Sequence, residues 1–312
     1  MGGEPPDPFP KLAALAPLAT CFAVGGVAVA GFASWWLALL LACPASLLAA
    51  WQIPPRRPRR SRSAKATATG PNSAPGSPHL TVMTLNLLKG SADAAALVRN
   101  LVKHRVDVLA VQELTPGAVA ALVREGLTDL LPYCHLDPRT GSKGGGLWAR
   151  WPLAPCPPPG RFTKAALRAR LDMGGRWPVT VMVVHPVAPL RGKERRWQSE
   201  LAQLRSVLAK SEGPQIVAGD FNASRDHRSF RDLLAVGLIE CADAAQRRSW
   251  PGHTWPTHRL MPAIMRLDHV LISQIGITVR ESHMISIPGT DHRGVLAVLE
   301  CEHDLVGSSP CG

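Results

Sequence analysis

Gln215-Ile216-Val217-Ala218-Gly219-Asp220-Phe221-Asn222 is the stretch on which the reading of this chain turns. The apolar run Gln215–Ala218, bounded upstream by Gly213-Pro214, predicts a short buried strand. Gly219 lets the backbone turn sharply where that strand ends. An acid, Asp220, and an amide, Asn222, then stand two residues apart at the strand's rim. Such a match has weight only if other strands deliver partners to the same rim.

Upstream, His79–Leu87 reads as a strand ending in Leu85-Asn86-Leu87, and Val106–Val111 as a buried strand ending in Gln112-Glu113. Gly144-Gly145-Gly146 turns into a further strand, and Val179–Val184 ends in His185-Pro186. Between them, Ser91 is expected to cap a helix striped by Leu97, Val98, Leu101 and Val102. Thr115-Pro116 starts a second helix, with Gly126 as its stop. Trp197, Leu201, Leu204 and Leu208 mark an amphipathic third. Downstream, strands at His269–Ser273 and Gly294–Glu300 are each preceded by polar residues, Arg266-Leu267-Asp268 and Thr290-Asp291-His292-Arg293. Alternating strands and helices with several hairpins predict an α/β domain with mixed sheets. If the last two strands run against the others, Asn86, Glu113, His185, Asp220, Asn222, Asp268, Asp291 and His292 meet at one rim.

These residue types suit magnesium-assisted phosphoryl hydrolysis. A hard cation takes oxygen ligands, and Glu113 is the first choice, helped by Asn86 and Asp291. Manganese is an acceptable substitute. His292 paired with Asp268 suits proton transfer, because an adjacent carboxylate fixes the imidazole tautomer. Asp220 would orient or deprotonate the attacking water, and Asn222 and His185 would donate to phosphate oxygens. Each residue also has a plainer role open to it. Glu113 could accept from the helix starting at Thr115, Asn86 could form a turn, and His185 could be a structural loop residue. The Asp-His pairs could be solvated strand starts. The triple glycine fits neither a P-loop nor a dinucleotide-binding spacing.

The 312 residues carry a formal net charge of +12. Residues 1–78 hold seven Lys/Arg against two acids, and 79–312 hold 28 against 21. A basic domain suits polyanionic or phosphorylated substrates, and equally an anionic membrane surface. Seven cysteines without a CxxC pair speak against a zinc cluster, while leaving one or two disulfides open if the domain is extracytoplasmic.

Residues 1–11 read as an irregular tail. Leu12 to Trp51 contains no charged residue, about twice the ~20 residues that span a bilayer as a helix. Two transmembrane helices are expected within 12–52, with Trp35, Trp36 and Trp51 as interfacial anchors. Residues 53–78 read as a basic, Pro/Ser-rich linker, 79–301 as the catalytic domain and 302–312 as a tail. The arginines at 56–62 would place the domain in the cytoplasm by the positive-inside rule.

Taken together, Thr84-Leu85-Asn86, Gln112-Glu113, His185-Pro186, Gly219–Asn222, Arg266-Leu267-Asp268-His269 and Thr290-Asp291-His292-Arg293 resemble the endonuclease/exonuclease/phosphatase superfamily. That group includes pancreatic deoxyribonuclease, abasic-site endonucleases, neutral sphingomyelinases and inositol-phosphate 5-phosphatases. The resemblance covers residues 79–301. It implies a four-layer α/β sandwich, with two mixed sheets face to face and helices outside. It also implies Asn86, Glu113 and Asp291 near magnesium, Asp220 and Asn222 at the nucleophile and phosphate, and Asp268 supporting His292. His185 stands where the abasic-site members have a tyrosine, as in the deoxyribonuclease and sphingomyelinase branches. Membrane-attached bacterial members commonly hold this domain outside the cell, and the reading leans to that face. The expectation is a multi-pass cell-membrane protein with a monomeric catalytic domain, a phosphodiesterase acting on nucleic acid. Phospholipid or sphingomyelin phosphodiesterase, phosphatase and non-catalytic membrane adaptor are the alternatives.

Overall fold

The computed structural model describes Ala23 and residues 79–302, except 176–177, 191, 246, 249–251 and 258–262. Chain order is β1 His79–Asn86, α1 Ala94–Lys103, β2 Val108–Gln112, α2 Pro116–Arg124, α3 Leu127–Leu130, β3 Tyr133–Asp137, β4 Gly145–Ala149, β5 Leu153–Cys156, β6 Leu167–Leu171 and β7 Val179–Val184. There follow α4 Glu194–Lys210, β8 Gln215–Asp220, α5 Arg228–Ala235, β9 Leu238–Glu240, α6 Cys241–Ala244, β10 Arg247–Arg248, β11 Asp268–Ser273, β12 Ile277–Ser286 and β13 Arg293–Cys301.

The strands form two sheets, β10-β12-β13-β1-β2-β4-β3 and β5-β6-β7-β8-β11-β9. Both are mixed: β1 pairs parallel with β2 and antiparallel with β13, while β7 pairs parallel with β8 and β8 antiparallel with β11. The two-residue period of a strand sorts its side chains into layers. Val108 and Ala110 of β2, Val181 and Val183 of β7, and Ile216 and Ala218 of β8 all lie in one core between the sheets. Leu109 and Val111 turn the other way, onto α1, α2 and α3. Met182, Val184 and Val217 turn onto α4 and α5. The result is the α/β/β/α sandwich that the resemblance implied. Burial on both faces is why β2, β7 and β8 read as unbroken apolar runs.

Register brings the strand ends together. Asn86 pairs with Gln112, Val184 with Gly219, and Asp268 with Asp220. Gly219 has a steric reason as well: a Cβ there would overlap the Val184 carbonyl oxygen.

Some local expectations need correction. Asp93, not Ser91, caps α1, accepting from Ala96 N at 2.8 Å. The Ser91 hydroxyl instead donates to the carbonyls of Leu88 and Gly289. The second strand starts at Val108, because Val106 N still closes the end of α1 on Leu101 O. Cys134, Cys156, Cys241 and Cys301 are free thiols. Apart from Ala23, the two expected membrane spans lie outside the described residues, and among those described no helix is long and apolar enough to cross a membrane.

Candidate active site at the shared rim of the two sheets

All eight residues singled out in the sequence lie at strand ends or beginnings on this rim. Asn86 ends β1 and reaches the other sheet, donating from Nδ2 to Asp220 Oδ2 at 3.1 Å. The same Nδ2 lies 3.5 Å from Glu113 Oε1. Asn86 Oδ1 accepts from Leu88 N, so this residue also shapes its own turn. Glu113 does not cap α2; Thr115 does that itself. Glu113 Oε2 accepts from Lys89 N at 2.8 Å, leaving Oε1 with only long contacts to Asn86 and to Lys164 Nζ, 4.0 Å away.

Backbone strain gathers here. Leu88, Lys89, Glu113 and Asn222 have φ between 47° and 59°, and among the described residues only Arg105 otherwise joins them outside glycine. Each such position is disfavoured for an L side chain and persists where its surroundings hold it.

Asp220 is the buried hub. Its Oδ1 accepts from Asn222 N at 2.8 Å, and Oδ2 lies 3.4 Å from His185 Nε2 and 4.0 Å from His292 Nε2. Burial alone would raise this carboxyl. The contact with His185 and the charges of His292 and Lys164 override burial and hold it well below the ordinary carboxylate range. Asn222 commits one amide hydrogen to Pro186 O at 3.0 Å, and an amide nitrogen has two.

His292 is held by Asp268, Nδ1 to Oδ2, at 2.8 Å. Burial opposes its charge, but the Asp268 carboxylate more than compensates and pushes the imidazole up to about 10. Burial drives the Asp268 carboxyl upward while His292 pulls it back. Asp291 Oδ2 accepts from Trp255 Nε1 at 3.1 Å, whereas its Oδ1 is buried without a hydrogen-bond partner and lies 3.9 Å from His292 Nε2.

Asp220, Asp268 and His292 place potential ligand atoms within 4.8 Å of one another. This trio is better suited to moving protons than to holding a hard cation, since His292 Nδ1 is already tied to Asp268. Glu113 Oε1, the second lone pair of Asn86 Oδ1 and Asp291 Oδ1 are the rim oxygens with bonding capacity left over.

Residues 83–292 match the model of the endonuclease/exonuclease/phosphatase family. The chain belongs to that family. Its members are hydrolases of phosphate esters and typically depend on divalent metal. No curated protein matches the chain. Among solved structures, a family member from Beutenbergia cavernae DSM 12333 is 20% identical, with a TM-score of 0.55 over 75% of this chain and 73% of its own. A humanised D. rerio TDP2 is 16% identical, with a TM-score of 0.56 over 71% of this chain and 99% of its own. A mannosyl-6-phosphatase from Bacteroides thetaiotaomicron VPI-5482 is 15% identical, with a TM-score of 0.52 over 70% and 99%. At these identities the likeness is one of fold.

Several residues of this family domain's rim were not read from the sequence. Lys164 enters between β5 and β6, and its Nζ lies 2.6 Å from His185 Nε2. His185 Nε2 thus stands between a donor, the Lys164 ammonium, and an acceptor, Asp220 Oδ2, while its Nδ1 is buried without a partner. Burial, then the Lys164 charge, lowers the His185 pKa, which agrees with a neutral ring. Burial also lowers Lys164 itself. Thr254 Oγ1 accepts from the amides of Leu267 and Asp268, and Thr290 Oγ1 donates to Asn86 O. Lys164 and Thr254 lie in no motif, and Thr290 opens the Thr290–Arg293 motif without having been given a role.

Proposed function

We propose that this phosphodiesterase/phosphatase-type hydrolase is a magnesium-dependent phosphodiesterase of nucleic acid, tethered to a membrane by residues 12–52. The observation that supports it best is one line of contacts. Asp268, His292 and Asp220 follow in sequence at 2.8 and 4.0 Å, and Asn86 joins Asp220 to Glu113.

Glu113, Asn86 and Asp291 would hold magnesium, or manganese in its place. The ion would polarise a phosphoryl oxygen and stabilise charge on the leaving group. Asp220, ionised, orients the attacking water or takes its proton as the water oxygen bonds to phosphorus and the ester bond breaks. His292, fixed by Asp268, moves a proton at Nε2. Lys164 and the free amide hydrogen of Asn222 face the phosphate oxygens, with His185 behind them.

Nucleic acid is the substrate favoured by the basic balance of residues 79–312. A structure of D. rerio TDP2 holds a single-strand DNA product on this fold. Phospholipid is the second reading, motivated by the uncharged stretch at 12–51, which would make a bilayer substrate local. Hydrolysis of DNA, RNA, a chromogenic phosphodiester, phospholipid vesicles and a sugar phosphate should be compared with and without EDTA. Metal-dependent turnover is expected, with oligonucleotides preferred. His292→Ala and Glu113→Ala should each abolish it in a protein that still melts cooperatively. Unchanged rates in either variant would overturn the assignment, and preference for vesicles would move it to the lipid reading.

A further inference from the structure

Glu200 is a charged residue in the apolar stripe of α4. It sits one turn from Trp197 and beside Leu201 and Leu204, and it is fully buried. An unpaired carboxylate there would be strongly destabilising. It is instead fully engaged. Oε1 accepts from Thr163 N at 2.9 Å, Thr163 Oγ1 at 2.7 Å and Arg196 Nε at 3.2 Å, and Oε2 accepts from Val187 N at 2.9 Å. The two backbone donors belong to different segments. Thr163 immediately precedes Lys164. Val187 follows His185 and Pro186, whose carbonyl receives Asn222. Neighbouring Trp197 donates to Phe221 O at 3.2 Å, between Asp220 and Asn222.

We propose that Glu200 is a positioning residue for phosphate binding, fixing the Lys164 segment and the His185 segment at one separation. One carboxylate bridging both segments sets the 2.6 Å Lys164–His185 contact. What those two residues then grip rests on the phosphodiesterase reading above; that Glu200 sets their spacing rests on its hydrogen bonds. A neutral amide could not replace it, because its NH₂ group would face a backbone N–H on one side or the other.

The test is Glu200→Gln in the full chain, with Thr163→Val as a milder variant at an exposed position. In Glu200→Gln, kcat/KM on a chromogenic phosphodiester should fall roughly 10- to 100-fold. The Kd for inorganic phosphate, measured by calorimetry, should rise about as much. Thr163→Val should shift both in the same direction by less, and it carries the test if Glu200→Gln does not fold. In a Lys164→Ala background Glu200→Gln should add little, because residues acting through one contact are not additive. A purely structural role would give independent, additive losses, and that result overturns the proposal. So would wild-type phosphate affinity in both variants. Wild-type protein that binds phosphate but turns over no ester would sink the phosphodiesterase reading alone, leaving calorimetry to decide on Glu200. Wild-type protein that does neither would sink both.

Discussion

Glu113 and Asn222 hold positive φ at the two places where a strand hands over to the rim. Each such conformation costs on the order of 1–3 kcal/mol. The neighbours that impose it are visible: Lys89 N on the Glu113 carboxylate, and Pro186 O and Asp220 Oδ1 on Asn222. At His292 the constraint is electrostatic. Its ordinary value is 6.5, and in the fold it stands at about 10. A group raised on folding stabilises fully below its unfolded pKa and loses that contribution as pH rises through the folded one. In EDTA-treated protein, the melting-temperature gap between wild type and His292→Gln should therefore be widest near pH 6. It should narrow as pH climbs towards 10.5; a gap that widens with pH would refute the pairing. Asp220, Asn222 and His292 were legible because each abuts a strand that could be read. Lys164 was not, because it leaves a loop between two strands that gave no periodic signal. Its role exists only through a ring 21 residues away.

Among the elements, α1 distinguishes a capping residue from a lookalike. Ser91, the residue expected at the N-cap, and Asp93 are both suited to it by residue type. Folding chooses Asp93, because Ser91 is drawn to Gly289 O in the turn before β13. Asp93→Ala should lower stability by about 1 kcal/mol in urea titrations, the usual cost of losing a cap. A neutral result would return the cap to another residue. Helices α1, α2 and α4 were readable from their apolar stripes. The short α3 and α6, of four residues each, bury too little for a stripe to show. Strand β12 was missed because its inward positions alternate with half-buried polar ones and a bulge breaks the period between Val279 and Glu281.

For the whole molecule, the decisive fact is that the rim draws on both sheets. Asn86, Glu113 and His292 flank strands of one, and His185, Asp220 and Asp268 belong to the other. Their relative position depends on the core between the sheets. Ile216→Ala, in that core, should cost about 2–5 kcal/mol. Turnover and near-ultraviolet circular dichroism should then disappear over one urea range; activity lost well before the spectrum would mean that the rim yields independently of the core. The sandwich was legible in outline because its central strands are apolar on both faces. The edge strands β3 and β5 leave residues exposed and read as loops.

The first strand has a geometric corollary. His79 lies in register with Glu300, so the two ends of the domain emerge side by side. Along β1, eight residues at roughly 3.3 Å each carry the chain about 23 Å to Asn86. The two chain ends of the domain and the reactive rim therefore lie at opposite ends of β1. Grafted to a bead or an electrode by either end, or spliced into a loop of a host protein, the domain would present its working face outward.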